Sequence, residues 1–331
     1  MIDIAVALEG PIAVGSDRRA KIVQRPGGSA ATQAVWLTRF GVSVDFVGRV
    51  GAADHAAETE LLRRAGVEPH LAADPSRETG RLIAIVDTTG ERSFLTDRGA
   101  NDALEAADIP EALIDRADHI HISGYSLLAP SPREAVLSVM RRATRPVSVD
   151  PGSAEFLREV GAANFLGWTA GAAMLFPNSG EAAVLAGSDD AEAQGERLAR
   201  LYPLVAIKRG AAGCEAWRGA ERWRVSGPAA EVVDTTGAGD AFVVAFLAAR
   251  LNGEAIEASL RCAVEAGSAA TEFLGGRPVL QPRDSQTQRH RPIFGASWIP
   301  AGASVMRAFR ASPLPTVGSL AARRRWIPGL L

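Results

Sequence analysis

Short runs of apolar residues alternate along this chain with longer segments in which apolar residues recur at helical spacing. Residues 119–122, 147–150, 173–176 and 204–207 are such short runs, and helical patterns separate them. This alternation predicts an α/β fold in which a parallel sheet carries helices on its faces. Ligands of such sheets bind beyond the carboxyl ends of the strands, so we expect the functional site at that edge.

One stretch departs from this alternation and has the pattern of a β-hairpin. Residues 81–86 and 91–96 are strand-like, and Asp-Thr-Thr-Gly at 87–90 separates them as a turn. Residues 10–25 have an extended, polar character without helical spacing. We predict that residues 10–25 and 81–96 together form a small sheet that stands off the main one as a lid.

The two ends of the chain also depart from the pattern. Residues 2–6 already resemble the interior of a strand, so we expect the first strand to be truncated. Residues 286–331 contain seven arginines, five prolines and two tryptophans, but no Asp, Glu or Lys and no periodicity. We therefore expect one domain over residues 1–285, followed by an Arg/Pro-rich tail over 286–331 that is disordered or translated in a shifted frame.

Composition and charge argue against several classes of partner. The 331 residues carry 36 basic and 38 acidic side chains, a formal net charge of −2, which argues against nucleic acid and membranes as partners. Seven of the basic residues lie in the tail, so residues 1–285 hold 29 basic against 38 acidic ones. Two cysteines are too few for a disulfide framework, and no secretory or membrane-spanning pattern is evident. We expect a soluble, cytoplasmic protein.

The scarcity of lysine excludes a common phosphate-binding motif. Lys21 and Lys208 are the two lysines of the chain, and neither lies in the Gly-Lys-Ser/Thr context of a Walker A loop. Residues 205–208 spell the Val-Ala-Ile-Lys strand motif of protein kinases, but they lie late in the chain and the sequence lacks Asp-Phe-Gly. A phosphate site in this chain would therefore depend on backbone amides.

The most informative segment is Asp-Thr-Thr-Gly-Ala-Gly-Asp-Ala-Phe at 234–242. It follows a strand-like run and opens an apolar helix that extends to about residue 251. Small residues at 237–239 let the backbone approach an anion, and the first amides and the dipole of the helix favour negative charge there. Asp240 lies in the first helical turn, where a carboxylate is stabilised and is available as a base. The simpler alternative is a glycine-rich turn in which Asp240 is a capping residue.

This segment resembles the second signature of the ribokinase/PfkB family of carbohydrate and nucleoside kinases. The resemblance implies that Asp240 is the general base for the acceptor hydroxyl. It also implies that the amides of Gly237, Ala238 and Gly239 form an anion hole for the transferred phosphoryl group. Phosphoryl transfer depends mainly on positioning and charge neutralisation, which such a site supplies. The implied fold is a ribokinase-like three-layer α/β/α sandwich with a mainly parallel central sheet and a small β-sheet lid.

Other segments resemble the acceptor-binding motifs of that family, in the same order along the chain. Residues 26–34 resemble the first signature, although Thr32 stands where the family usually has asparagine, which leaves the details of sugar recognition open. The resemblance implies a substrate-binding set of Asp3, Gly27, Gly28, Thr32 and Asn101.

The resemblance also implies how ATP and its metal ion are bound. Asn178 and Glu181 match an Asn-x-x-Glu motif that arranges waters around Mg²⁺, an ion that prefers oxygen ligands. A monovalent cation such as K⁺ would lie at Asp234. The implied ATP-binding residues are Asn178, Lys208, Gly210, Thr236, Gly237, Gly239, Ala266 and Gly267.

We therefore predict an ATP-dependent kinase that transfers the γ-phosphoryl group to a hydroxyl of a small sugar, with lid closure excluding water. A nucleoside acceptor and a catalytically impaired sugar- or nucleotide-binding relative remain alternatives. A dinucleotide-dependent dehydrogenase is disfavoured, because residues 237–239 lack the third glycine of its motif and lie late in the chain. We also expect a homodimer formed through the lid.

Overall fold

The computed structural model describes residues 1–87, 92–272, 275–278 and 325–328. Its strands are β1 (Ile2–Leu8), β2 (Ala20–Pro26), β3 (Ser43–Gly51), β4 (Glu68–Asp74), β5 (Thr79–Val86), β6 (Arg92–Gly99), β7 (His119–Ser123), β8 (Val147–Asp150), β9 (Met174–Leu175), β10 (Leu204–Lys208), β11 (Cys214–Arg218), β12 (Glu221–Val225) and β13 (Arg325–Pro328). Its α-helices are α1 (Ser29–Arg39), α2 (His55–Arg64), α3 (Glu111–Arg116), α4 (Pro130–Arg142), α5 (Ala154–Val160), α6 (Ala162–Trp168), α7 (Ser179–Ala186), α8 (Ala191–Ala199), α9 (Ala238–Leu251) and α10 (Ile256–Ala270).

The central sheet is mainly parallel, which confirms the prediction. Its strand order is β12-β11-β10-β9-β8-β7-β13-β3-β4. The strands from β10 to β4 pair in parallel, and β11 and β12 add antiparallel pairs at one edge. Alternate residues of β10 enter two different apolar cores, Leu204 and Ala206 one, Val205 and Ile207 the other. Helices therefore cover both faces, as in the predicted three-layer sandwich.

A second, four-stranded sheet has the order β2-β1-β5-β6. Both predicted lid segments contribute to it, because β2 ends the first segment and the β5–β6 hairpin forms the second. β1 also lies in this sheet, parallel to β5, a placement that the sequence pattern did not predict. The turn of the hairpin, residues 88–91, lies outside the described residues.

Four residues of the predicted tail form a strand in the middle of the central sheet. β13 pairs in parallel with β7 on one side and with β3 on the other. The expectation of a disordered tail did not include this strand. Residues 286–324 and 329–331, which make up the remainder of the predicted tail, lie outside the described residues.

Parallel pairing brings several polar strand ends to one edge of the sheet. Asp150 is the last residue of β8 and Lys208 the last of β10, while Asn178 follows β9 and precedes α7. Helix α9 packs against α1 and α10 and is buried along most of its length. None of the described helices is both long enough and apolar enough to cross a bilayer.

Candidate active site

The glycine-rich segment 234–240 forms a tight turn that leads into α9. Gly237 has a φ of 79°, and a Cβ at this position would lie 2.5 Å from the Cα of Gly276. Glycine is therefore required by both conformation and close approach. The N–H of Ala238, one of the three predicted anion-hole amides, donates to the carbonyl of Thr235 at 3.3 Å. It is therefore already used in a hydrogen bond within the turn. The amides of Gly237 and Gly239 lie where a helix lacks internal partners for its N–H groups.

Asp240 lies in the first turn of α9 and is tied to α1 by two hydrogen bonds. Ser29 Oγ donates to Asp240 Oδ1 at 2.6 Å, and Gln33 Nε2 donates to the same oxygen at 2.9 Å. Burial raises the pKa of Asp240 to about 7, and the charge of Asp150 acts in the same direction. A carboxyl group with a pKa near neutrality can accept a proton and release it again, which suits a general base.

A chain of polar contacts connects Asp240 to Lys208. Gln33 Nε2 also donates to Asp150 Oδ2 at 3.1 Å, and Lys208 Nζ donates to Asp150 Oδ1 at 3.0 Å. The Lys208 ammonium lies beside the start of α9, 3.6 Å from where a Cβ on Gly239 would be. Burial alone would lower the pKa of Lys208, but Asp150 and Glu181 outweigh it and raise the pKa. Lys208 therefore places a persistent positive charge next to the predicted anion hole.

Sequence reasoning missed Ser29 and Gln33, although both contact the predicted base. They are four residues apart on α1 and therefore share one face of that helix. Thr32, which the motif comparison favoured, is buried at 4% exposure. Thr32 between them is also polar, so the helical spacing alone does not distinguish this pair.

Tyr125 is a further residue that the sequence reasoning did not identify. Its hydroxyl donates to the carbonyl of Gly152 at 2.8 Å, and its ring meets that of Phe156 edge to face. Burial raises the pKa of Tyr125, with further contributions from the charges of Asp240 and Asp150. The ring therefore lies within electrostatic range of the base.

The predicted acceptor-binding residues on the loop before α1 lie beside Asp3 of β1. A Cβ on Gly27 would lie 1.8 Å from Asp3 Oδ1, so the carboxylate packs directly on the glycine backbone. Burial raises the pKa of Asp3, and the N–H of Gly28 donates to its carboxylate. Asp3 Oδ1 and Asn101 Nδ2 are enclosed and find no hydrogen-bond partner in the part of the chain that the structure describes. Enclosed polar atoms of this kind usually bind water or a ligand, which fits the acceptor role predicted for both residues.

Asn178 and Glu181 form a reciprocal cap at the start of α7. Glu181 N–H donates to Asn178 Oδ1 at 2.9 Å, while the backbone and side-chain nitrogens of Asn178 donate to the two Glu181 oxygens at 2.8 and 2.7 Å. Burial raises the pKa of Glu181 to about 7, and Lys208 opposes this. The pair therefore has a structural role as the N-terminal cap of α7.

The same pair also fits the magnesium role that the resemblance implies. The pair presents carboxylate and amide oxygens, which Mg²⁺ and its water ligands prefer, within electrostatic range of Lys208. A nearby dication would favour the charged form of Glu181. Among the described residues, no three His, Cys, Asp or Glu side chains are arranged to hold a metal ion directly. The contribution predicted for this pair is contact through water.

Asp234 organises the loop below the predicted anion hole. Its Oδ1 accepts the N–H of Thr236 at 2.8 Å, and its Oδ2 accepts the N–H of Gly275 at 2.9 Å. The carbonyl of Gly276 in turn accepts the indole N–H of Trp36 at 2.9 Å. Binding of a monovalent cation at Asp234 stays a prediction.

The remaining residues assigned to ATP lie apart from one another. Gly210 is exposed in the turn after β10, with a φ of 58°. Ala266 and Gly267 are buried where α10 packs on α9, and a Cβ on Gly267 would lie 3.1 Å from the carbonyl oxygen of Ala238. The structure therefore gives these two residues a packing role beneath the turn, and their contact with adenine stays a prediction.

Comparison with known proteins gives a family and close relatives in fold. The model of the pfkB family carbohydrate kinase matches residues 1–281. An ATP-dependent ribose-1-phosphate kinase of Halopiger xanaduensis is 30% identical over 278 residues, which cover 83% of this chain and 88% of that protein.

Solved structures agree with this match. Adenosine kinase from Sinorhizobium meliloti superposes with a TM-score of 0.77 at 25% identity, covering 84% of this chain and 93% of its own. A putative ribokinase II from E. coli, in complex with ATP and Mg²⁺, superposes with a TM-score of 0.73 at 25% identity. The superposition covers 83% of this chain and 92% of the ribokinase chain.

Proposed function

The chain belongs to the pfkB family of carbohydrate kinases, and we propose that it transfers the γ-phosphoryl group of ATP to a hydroxyl of a small sugar or sugar derivative. The observation that carries this proposal is the environment of Asp240. A carboxyl group with a pKa of about 7 lies at a helix N-terminus, near backbone amides and a partly buried lysine. This combines a base and charge neutralisation at one point.

In the proposed reaction, the acceptor hydroxyl donates its proton to the Asp240 carboxylate. The hydroxyl oxygen forms the new bond to the γ-phosphorus, the bond from that phosphorus to the bridging oxygen breaks, and ADP leaves. In the structure, Ser29 donates to Asp240 Oδ1 at 2.6 Å. The acceptor hydroxyl would therefore donate its proton to Oδ2, or it would displace the Ser29 hydroxyl from Oδ1. Gln33 holds the carboxylate in place during the transfer.

The amides of Gly237 and Gly239 and the ammonium of Lys208 would neutralise charge on the transferred group. Lys208 is held at this position by Asp150, which Gln33 also contacts. Mg²⁺ would supply additional neutralisation of the phosphates when bound. Asn178 and Glu181 would orient its water ligands from the start of α7.

Asp3, the Gly27-Gly28 loop and Asn101 would hold the other hydroxyls of the acceptor. The unpartnered oxygen of Asp3 can accept a hydroxyl hydrogen, and the unpartnered nitrogen of Asn101 can donate. A nucleoside is the second candidate acceptor. It is supported by the likeness to a solved adenosine kinase and by the aromatic ring of Tyr125, which lies within electrostatic range of the catalytic base Asp240.

Three finer proposals accompany this function. Exposed apolar side chains of the lid, Ile22, Phe94 and Leu95, support a homodimer formed through the lid, which light scattering on the purified protein would test. A requirement for K⁺ follows from the resemblance at Asp234, and comparing activity in K⁺ and Na⁺ salts would test it. A cytoplasmic location is also proposed, and fractionation of the source cells would test it.

The central experiment measures ADP release by the purified chain with ATP and Mg²⁺ over a panel of sugars, nucleosides and their phosphates. We expect one acceptor class to stimulate turnover and Asp240→Asn to lower kcat by about 10²- to 10⁴-fold. Asp115→Asn, an exposed carboxylate on α3, is the matched control and should leave kcat unchanged. Equal kcat in Asp240→Asn and wild type would eliminate Asp240 as the base, and stimulation by no acceptor would contradict the kinase function.

A further inference from the structure

Five enclosed side-chain atoms, on Asp3, Asn101, Gln33 and two arginines, find no hydrogen-bond partner among the described residues. They are Asp3 Oδ1, Gln33 Oε1, Arg98 Nη2, Asn101 Nδ2 and Arg277 Nε. Two of these atoms accept hydrogen bonds and three donate, and two of the donors belong to guanidinium groups. Hydroxyl groups of a sugar can satisfy all five atoms, but the two guanidinium groups also carry a positive charge, which an anionic group satisfies better.

Arg277 is a partly buried cation in the described segment 275–278. Its Nη2 donates to the carbonyl of Gly27 at 2.5 Å, while its Nε is enclosed and finds no partner among the described residues. Within the described part of the chain, no carboxylate oxygen lies within 4.0 Å of it. Burial lowers the pKa of Arg277, and Glu58, Asp3 and Asp240 oppose this from a longer distance. An enclosed charge without an ion pair is costly, and a bound anion removes that cost.

The contacts of Arg277 place it on the acceptor side of the site. It bonds to Gly27, and the backbone of Gly27 packs on the carboxylate of Asp3. The charges of Glu58, Asp3 and Asp240 all act on Arg277. The hydrogen bond to Gly27 places the guanidinium beside the loop that would hold acceptor hydroxyls.

Arg98 supplies a second guanidinium at the base of the lid. Its Nε forms an ion pair with Asp102 at 2.6 Å, and its Cζ lies 5.9 Å from the centre of the Tyr125 ring. The carbonyl of Arg98 and the side-chain nitrogen of Asn101 both border Gly80, so Arg98 and Asn101 are neighbours. The charge of Arg98 is thus balanced by Asp102, but its Nη2 is enclosed and makes no hydrogen bond to the described residues.

We propose that the acceptor of this kinase carries an anionic group, a phosphate monoester or a carboxylate, which Arg277 binds through Nε. This inference rests on the proposed function and narrows its substrate class. Asp3 and Glu58 repel an anion at longer range, so the guanidinium must contact the anionic group directly. A neutral acceptor could offer Nε a hydroxyl oxygen, but it would leave the enclosed charge of Arg277 without a counter-charge.

The test compares matched acceptors with the full chain. ADP release is measured with pentoses and hexoses, with their phosphate monoesters and with the corresponding sugar acids. Wild type is compared with Arg277→Gln, Arg277→Lys and a control, Arg145→Gln, which removes an exposed arginine before β8. Thermal unfolding of each variant identifies any loss of folding.

We expect wild type to prefer an anionic acceptor in kcat/KM. Arg277→Gln should lower kcat/KM for that acceptor by about 10- to 100-fold, the range of a charge-assisted hydrogen bond, mainly through KM. It should change kcat/KM for the neutral parent less than about threefold, and Arg277→Lys should restore part of the loss. The relative response to phosphates and sugar acids identifies which anion is bound.

Two results would overturn the inference while leaving the kinase function intact. One is a wild type that prefers neutral acceptors. The other is an Arg277→Gln variant with kcat lowered equally for neutral and anionic acceptors, because Arg277 would then act on the transferred phosphoryl group. If no acceptor stimulates ADP release, the kinase function fails, and calorimetric binding of the anionic sugars then decides: binding that Arg277→Gln abolishes supports the site, and absence of binding overturns it.

Discussion

Replacing Asp150 by asparagine should lower the pKa of Asp240 and move the pH dependence of phosphoryl transfer toward acid. The two carboxylates share Gln33 Nε2, which lies 2.9 Å from one and 3.1 Å from the other. Their nearest oxygens are therefore at most about 6.0 Å apart. The negative charge of Asp150 raises the pKa of Asp240, after the larger effect of burial, so its removal acts in the opposite direction.

The size of the shift follows from Coulomb's law. At 6 Å and an effective dielectric constant of about 20, two unit charges interact by about 2.8 kcal/mol, or about two pKa units. Lys208 pairs with Asp150 at 3.0 Å. Its charge stays in Asp150→Asn and continues to lower the pKa of Asp240, so it does not offset the change. We therefore expect a downward shift of about two pKa units.

The assay is kcat/KM for the acceptor as a function of pH, from about pH 5 to about pH 9, because this parameter reports ionisations of the free enzyme. The base acts when deprotonated, so kcat/KM should rise as the pH passes the pKa of Asp240, about 7 in wild type. Asp150→Asn should reach its plateau at lower pH, and Asp115→Asn should follow wild type. An unchanged or higher midpoint in Asp150→Asn would refute the electrostatic coupling of the two carboxylates.

Three further predictions follow from the geometry. Gly237→Ala should lower both kcat and Tm, because the new Cβ would lie 2.5 Å from the Cα of Gly276. Gly253→Ala is the control: Gly253 also has a positive φ, 87°, but open space around it. This variant isolates the effect of backbone conformation and should retain activity. Glu181→Gln should raise the Mg²⁺ concentration needed for half-maximal activity but change Tm little, since glutamine can also cap α7; an unchanged Mg²⁺ requirement would contradict the magnesium role. Burial lowers the pKa of His119 to about 3 and that of His121 well below 6.5. The unfolded chain therefore binds protons that the folded chain does not, so stability should be full above about pH 6.5 and fall below it by about 1.4 kcal/mol per pH unit for each histidine. Urea unfolding across this range measures the slope, and an equal slope in His119→Asn would contradict the assignment.

The parts of the fold that the sequence predicts well are those determined by neighbouring residues. The run at 204–207 predicts β10 because alternate side chains of one strand must satisfy two apolar cores. The turn at 234–240 identifies Asp240 because the glycines, the helix start and the carboxylate are adjacent in the chain. Local chemistry of this kind needs no knowledge of the remainder of the fold.

The features that sequence reasoning missed depend on contacts between distant residues. Ser29 and Gln33 reach Asp240 across more than 200 residues, and no local pattern specifies that meeting. The alternation in β1 suits a lid strand as well as a central one, so it does not identify the sheet. β13 pairs with its neighbours through backbone N–H and C=O groups, and every residue other than proline has both. The identity of its four residues therefore does not indicate which strands they pair with.

The position of β13 has a consequence for synthesis of the chain. Residues 325–328 are translated after every other described residue, and they pair with Ser43 and Val44 near the opposite end. A nascent chain can thus form the two parts of the central sheet before β13 joins them, and the edges of β3 and β7 stay open until residues 325–328 have been synthesised. Ribosome-bound chains stalled before residue 325 should be cleaved by protease faster than released chains, and equal cleavage would show that the sheet closes without this strand.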